Sequence, residues 1–79
     1  MKLLEKMERV CRIHKLLKLE ATGTSDEFAE RLNLKRRQVY NILEELREIG
    51  ADIQYDTVRR TYYYGNDFDI EVRIGKGRL

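Results

Sequence analysis

With 79 residues, of which 38% are charged and 42% hydrophobic, the chain is expected to form one small domain with a limited core. It has no apolar run near the roughly 20 residues that span a bilayer and no signal peptide, and its single cysteine fits a reducing compartment, so we expect a cytoplasmic protein without a membrane partner. The net charge of +2 is too small to indicate a nucleic-acid partner by itself, so the order of the charges matters.

The first predicted element is a helix over residues 2–19. Its stripe at helical spacing contains Leu3, Leu4, Met7, Val10, Cys11, His14 and Leu17, widened by Ile13 and Leu16. Cys11 and His14 stand three positions apart, as two metal ligands or a thiol–imidazole pair would. Each is the only residue of its kind, so the favoured interpretation is a buried thiol and an ordinary imidazole. No phosphate loop or nucleophile elbow is visible, so we predict no enzyme, catalytic residue, metal or cofactor.

A short second helix, SDEFAERL, is predicted over residues 25–32. Thr24 and Glu27 form a capping box at its start, and Ser25 is the alternative cap. Three side chains are expected to face the core: Phe28, Ala29 and Leu32. The Asn33-Leu34 dipeptide predicts a tight turn, because asparagine tolerates the left-handed backbone conformation.

The third predicted helix covers residues 35–49 of the stretch KRRQVYNILEELREIG, and Gly50 fits the left-handed position just past its end. Its apolar stripe contains Val39, Ile42, Leu43, Leu46 and Ile49. Three cations, Lys35, Arg36 and Arg37, crowd the first turn, where the helix dipole favours acids. The acids of this helix lie in its second half: Glu44, Glu45 and Glu48. This order predicts a polyanion at the helix start, although a solvated face with pairs such as Glu44–Arg47 is the alternative.

Beyond Gly50 the period of the apolar residues changes from 3.6 to 2, which predicts a hairpin with its loop at residues 56–60. Arg59 and Arg60 would lie at or near the loop tip, where they contact phosphate or the minor groove, or only keep the loop soluble. Residues 62–64 are three tyrosines that could stack on bases, but alternation along the strand favours core and cross-strand packing.

Residues 66–79 are expected to be an addition to a domain that covers residues 1–65. Apolar and charged residues alternate over residues 68–74, which predicts a third strand with one apolar face. This strand would join its own hairpin or pair across the two-fold axis of a homodimer. Residues 75–79 are expected to be a frayed tail.

Two helices joined by a tight turn, the second basic at its start and followed by a hairpin, form the helix-turn-helix pattern. Residues 12–64 resemble the winged helix-turn-helix domain, type 11, of DeoR-, YafY/WYL- and biotin-repressor-like bacterial transcription regulators. The blocks that carry the resemblance are RIHKLLKL, TSDEFAERLNL, KRRQVYNILEELREIGADIQYD and the aromatic strand around Tyr62. The chain departs from the family at Lys35, which replaces a capping serine, and at Asn41, which replaces a basic residue, and we expect no effector domain.

The resemblance implies an α+β fold, a winged helix-turn-helix of three helices and a C-terminal β-hairpin wing, here with an extra C-terminal strand. It implies sequence-specific binding of double-stranded DNA by a small regulator, with helix 35–49 in the major groove and wing 56–60 on the backbone or minor groove. The expected DNA-binding residues are Lys35, Arg36, Arg37, Gln38, Tyr40, Asn41, Arg59 and Arg60. The alternative is a protein–protein adaptor, which the acids late in the third helix favour. No small-molecule effector is evident.

Overall fold

A computed structural model describes residues 2–69 of the chain. Three helices, α1 (Leu3–Leu19), α2 (Ser25–Leu32) and α3 (Arg36–Glu48), precede an antiparallel hairpin of β1 (Ile53–Asp56) and β2 (Thr61–Tyr64). The predicted α+β class and the order of its elements are confirmed. The strand predicted over residues 68–74 lies, beyond Asp69, outside the described residues, as does the tail.

The helix ends follow from local chemistry. The Thr24 hydroxyl accepts a hydrogen bond from the Glu27 N–H at 3.3 Å, and the Glu27 carboxylate accepts one from the Thr24 N–H at 2.8 Å, which closes the predicted capping box. Asn33 adopts the left-handed conformation at the end of α2, with φ 56°. Gly50, with φ 110°, follows α3, and the Ala51 N–H donates to the Leu46 carbonyl at 3.0 Å. None of the helices in residues 2–69 is both long and apolar enough to cross a membrane.

The core lies where one face of each helix meets one face of the hairpin. Its buried residues are Ile13, Leu17, Phe28, Ala29, Leu32, Val39, Leu43, Leu46, Ala51 and Ile53. Leu34, in the turn between α2 and α3, packs against this core, as do Tyr62 and Tyr64. Tyr63 points to the other face of the hairpin and donates from its hydroxyl to Gln54 at 3.3 Å. The packing interpretation of the three tyrosines is therefore confirmed.

Two buried threonines fix the hairpin to the helices. The Tyr62 N–H donates to the Thr22 hydroxyl at 2.8 Å, and the Thr22 N–H donates to the Thr61 hydroxyl at 3.2 Å. Both hydroxyls are buried and hydrogen-bonded, as buried polar groups require. The orientation of β2 relative to the loop before α2 is set by these bonds.

The inner face of α1 differs from the prediction. The helix buries Ile13 and Leu17 in its C-terminal half, whereas Leu3 and Leu4 are 73% and 59% exposed and Cys11 is exposed. The prediction of a buried Cys11 thiol is wrong, because no other element of the described chain covers that side of the N-terminal half. Ile49 is also exposed, since α3 ends at Glu48 and the backbone of Ile49 is no longer helical.

His14 has partners that its place on the α1 stripe did not indicate. Its Nδ1 lies 2.7 Å from the Tyr64 hydroxyl and its Nε2 lies 2.9 Å from Asp69 Oδ1. The Phe68 ring lies edge-on to the imidazole, with centroids 6.3 Å apart. This cluster attaches α1 to the end of β2 and to the residues that follow it.

The alkaline titration of Tyr64 tests this cluster. Burial raises the pKa of Tyr64 from its ordinary value of 10.0 to about 12, and the charge of Asp69 acts in the same direction. A raised pKa means that the folded state favours the protonated phenol. The contribution of this phenol to the stability of the fold is therefore fully present below pH 10 and is lost as the pH rises to about 12. We expect the tyrosinate absorbance of the chain to contain a step near pH 12 that Tyr64→Phe removes and Tyr63→Phe retains. If Tyr64→Phe still shows this step, the placement of the Tyr64 phenol is contradicted.

Candidate nucleic-acid interface

The start of α3 carries the three consecutive cations Lys35, Arg36 and Arg37, and its first turn contains no acid. Lys35 is the N-terminal cap, but its side chain makes no capping hydrogen bond. Its N–H instead donates to Gln38 Oε1 at 2.9 Å, so the Gln38 side chain supplies the cap. The positive end of the helix dipole and three exposed cations therefore coincide, which makes this end of α3 attractive to anions.

Arg36 is held against the start of α2. Its Nη1 donates to Asp26 Oδ1 at 3.2 Å, and this hydrogen bond, together with the Asp26 charge, raises the pKa of Arg36. The Arg36 side chain is still 57% exposed. Arg36 is thus both oriented by an acid of the protein and accessible to a further anion.

Arg37 and Asn41 occupy the outer face of α3, four residues apart. Both side chains are exposed, and neither has a hydrogen-bond or ion-pair partner among residues 2–69. Residues four apart on a helix are neighbours on one surface, so the guanidinium and the amide face the same side. Both groups are therefore available to a ligand at the outer face of α3.

Tyr40 joins α2, α3 and β2 in a hydroxyl cluster with Ser25 and Tyr62, two residues that the sequence analysis does not assign to the DNA-binding site. The Ser25 hydroxyl is the main cause that lowers the pKa of Tyr40, and the Tyr62 hydroxyl acts in the same direction. Burial raises the pKa of Tyr62, the more enclosed partner. Arg36 lies beside Tyr40 and interacts with the same hydroxyl. Four polar side chains from three elements therefore meet at the first turn of α2.

The hairpin loop, residues 57–60, is closed by Asp56. Its Oδ1 accepts hydrogen bonds from the N–H groups of Val58 at 2.9 Å and Arg59 at 3.1 Å, and its carbonyl accepts one from the Arg60 N–H at 2.7 Å. Arg60 adopts the left-handed conformation, with φ 56°, at the position where a glycine would carry no strain. Val58, which is 88% exposed, lies at the tip.

The two loop arginines face different surroundings. Arg59 forms an ion pair with Glu20, the residue that ends α1, which ties the loop back to the helices. Arg60 is exposed and has no ion-pair partner in the described part of the chain. The pKa of Glu27 is lowered chiefly by the hydrogen bond from the Thr24 N–H and, to a smaller extent, by the charge of Arg60. Arg60 therefore lies within electrostatic range of the first turn of α2.

The structure thus brings the eight predicted site residues to the surface in two groups. Six belong to the exposed start of α3, and Arg59 and Arg60 belong to the hairpin loop. Arg36 contacts one acid of the first turn of α2, and the charge of Arg60 acts on the next acid along the chain. We call the surface formed by the start of α3, the first turn of α2 and the hairpin loop the basic surface. Comparison of the chain with protein-family models, with curated proteins and with solved structures finds no match.

Proposed function

We propose that this chain is a winged helix-turn-helix domain that binds double-stranded DNA sequence-specifically, as a small bacterial transcription regulator. Helix α3 enters the major groove with its N-terminal half, and the hairpin acts as the wing on the backbone or minor groove. The observation that carries the proposal is the exposure of cations on two separate elements, at the start of α3, whose first turn holds no acid, and in the hairpin loop. Cations spaced across one surface match a duplex, whose phosphates flank both sides of a groove.

The exposed groups on α3 match the chemistry of base edges. Arginine pairs with guanine through two hydrogen bonds in the major groove, and asparagine pairs in the same way with adenine. Arg37 and Asn41 are available for these contacts, since neither has a partner in residues 2–69. The oxygen of Gln38 already caps α3, so Gln38 offers only its amide N–H groups to a base.

The hydroxyl cluster at the first turn of α2 suits the DNA backbone. Serine and tyrosine hydroxyls commonly donate to phosphate oxygens, and these contacts position a protein without reading sequence. Ser25 and Tyr40 lie beside the Arg36 guanidinium, which supplies the charge for a phosphate at this point. The carboxylate of Asp26 holds Arg36 in place but also repels phosphate, so the net attraction of this cluster is smaller than the arginines alone would give.

The acids of α3 favour the second candidate, a protein–protein adaptor. Glu44, Glu45 and Glu48 are exposed on the second half of the helix, where a phosphate backbone would be repelled. The DNA proposal accommodates them because only the N-terminal half of α3 enters the groove. The adaptor proposal would instead use the whole helix surface as a contact for a partner protein.

The salt dependence of duplex binding separates the two candidates. Binding sites are first selected from random duplexes, and the affinity for the selected duplex is then measured at several salt concentrations. About four to six phosphate contacts should give a log–log slope of about −4 to −5. The same oligonucleotide as a single strand is the control for non-specific attraction. A flat slope, or no selection above random duplex, would overturn the DNA proposal and favour the adaptor.

A further inference from the structure

The N-terminal half of α1 presents an apolar face that no other described element covers. Leu3, Leu4 and Cys11 are exposed along it, and Met7 is half-buried between them. A groove of about 850 Å³ runs beside this face, with Leu4, Met7 and Cys11 on one wall and Leu32 and Asn33 of α2 on the other. Apolar faces of this kind on a small domain mark contact sites for another macromolecule.

The charges along the same edge of α1 indicate what occupies the groove. At about 100° per residue, Glu5, Glu8, Arg12 and Lys15 fall within an arc of about 80° beside the apolar face. The two acids come first along the helix and the two cations follow. In an antiparallel pair the same edge of the two helices meets, so the acids of each chain would lie beside the cations of the other, whereas in a parallel pair this edge would not meet itself.

These side chains are available for such a contact. Glu8 and Lys15 are exposed, with no hydrogen-bond or ion-pair partner in residues 2–69. Arg12 donates from its Nη2 to the Arg31 carbonyl at 3.1 Å, which holds its guanidinium beside the groove. Glu5 accepts only a long hydrogen bond, 3.3 Å, from the Lys2 N–H.

We propose that two copies of this chain associate through an antiparallel contact between their α1 helices, with the exposed apolar face of each helix in the groove of the other. The contact is independent of DNA binding, because it uses none of the residues of the basic surface. It differs from the homodimer predicted through residues 68–74, since every residue that forms it lies in the described part of the chain. If the DNA proposal also holds, the pair presents two α3 helices related by a two-fold axis to two half-sites.

The test is the mass of the full chain in solution, measured by sedimentation equilibrium over a range of concentrations. We expect the parent chain to dimerise and Leu4→Glu to raise the dimer dissociation constant at least about tenfold, because a charge would be buried in the contact. Val58→Glu is the control, since Val58 is an exposed apolar residue of the hairpin loop, outside both α1 and the groove. It should dimerise as the parent does. Circular dichroism checks that both variants remain helical.

A second experiment reverses the charges along the same edge of α1. Glu5→Lys with Glu8→Lys makes the edge wholly positive, and Arg12→Glu with Lys15→Glu makes it wholly negative. Each double variant alone should be monomeric where the parent is dimeric, and an equal mixture should form a heterodimer. A monomeric parent chain, equal effects of Leu4→Glu and Val58→Glu, or double variants with the parent's mass would overturn the proposal. A stability loss in Leu4→Glu without a change in mass would show that the chain covers the face itself, which also overturns it.

Discussion

Replacing Arg37 with alanine is expected to weaken binding to the selected duplex by about 1–3 kcal/mol and to relax the preference at one base pair. Arg37 is exposed on the outer face of α3 and has no partner among residues 2–69, so its removal leaves the fold intact and takes away one bidentate donor. The measurement is a set of titrations, at one salt concentration, of the selected duplex and of duplexes changed one base pair at a time. The parent chain should discriminate among them at one position more strongly than the variant.

Two further variants separate the loss of a base contact from the loss of a positive charge alone. Arg36→Ala should weaken binding to all duplexes alike and reduce the magnitude of the salt slope by about 1, because Arg36 lies with hydroxyls suited to phosphate. Arg47→Gln removes one positive charge from the same helix about 15 Å away and keeps a donor for the Ile53 carbonyl, which Arg47 contacts at 3.0 Å. It should bind nearly as the parent chain does. If Arg37→Ala and Arg47→Gln behave alike toward every duplex, Arg37 does not read a base.

The elements that were predicted well are those whose signals are local in the chain. The capping box of Thr24 and Glu27, the left-handed Asn33 and the glycine after α3 each act through hydrogen bonds within five residues, so the sequence contains the whole interaction. The change of apolar period after Gly50 similarly indicates the hairpin, because a strand alternates its faces every two residues. Local rules therefore suffice for element type and boundaries.

Local sequence rules do not predict which part of the apolar stripe of α1 is buried. A stripe at helical spacing shows which side of a helix is apolar, but not how far along the helix its neighbours extend. The stripe from Leu3 to Leu17 is continuous in the sequence, yet only its C-terminal half is covered within residues 2–69, and Ile13, assigned to its margin, is fully buried. The difference depends on the lengths and placement of α2 and the hairpin.

The candidate site was predicted only in part, because some of its contacts join residues that are distant in the sequence. The cations of α3 are consecutive in the sequence, so their common surface follows from helical geometry. The partners of the site arginines are distant in the chain: Asp26 is ten residues from Arg36 of α3, and Glu20 is 39 residues from Arg59 of the hairpin loop. The sequence indicates Ser25 only as an alternative cap, and its effect on the pKa of Tyr40 depends on how α2 packs on α3. A serine and two tyrosines give no sequence signal for such a cluster.

The largest effect on stability is expected from Phe28→Ala, at about 3–5 kcal/mol. Phe28 is fully buried, and its ring lies 5.8 Å from that of Tyr62, so truncation leaves a cavity between α2 and β2 that a small core cannot refill. Domains of this kind have a free energy of unfolding of about 5–15 kcal/mol, so the variant should be partly or wholly unfolded at moderate temperature. Denaturant titration followed by far-ultraviolet circular dichroism measures the loss.

Val58→Ala is the matched control, because it also shortens an apolar side chain but at a position that is 88% exposed. Its free energy of unfolding should change by less than about 0.5 kcal/mol. A loss below about 1 kcal/mol in Phe28→Ala would contradict the packing of α2 on the hairpin. The consequence would extend to function, since Phe28 lies one turn after Ser25 and anchors α2, whose Asp26 holds Arg36. DNA binding should then fail in Phe28→Ala at temperatures where the variant is unfolded and recover wherever it refolds, whereas Arg37→Ala should remain defective at every temperature.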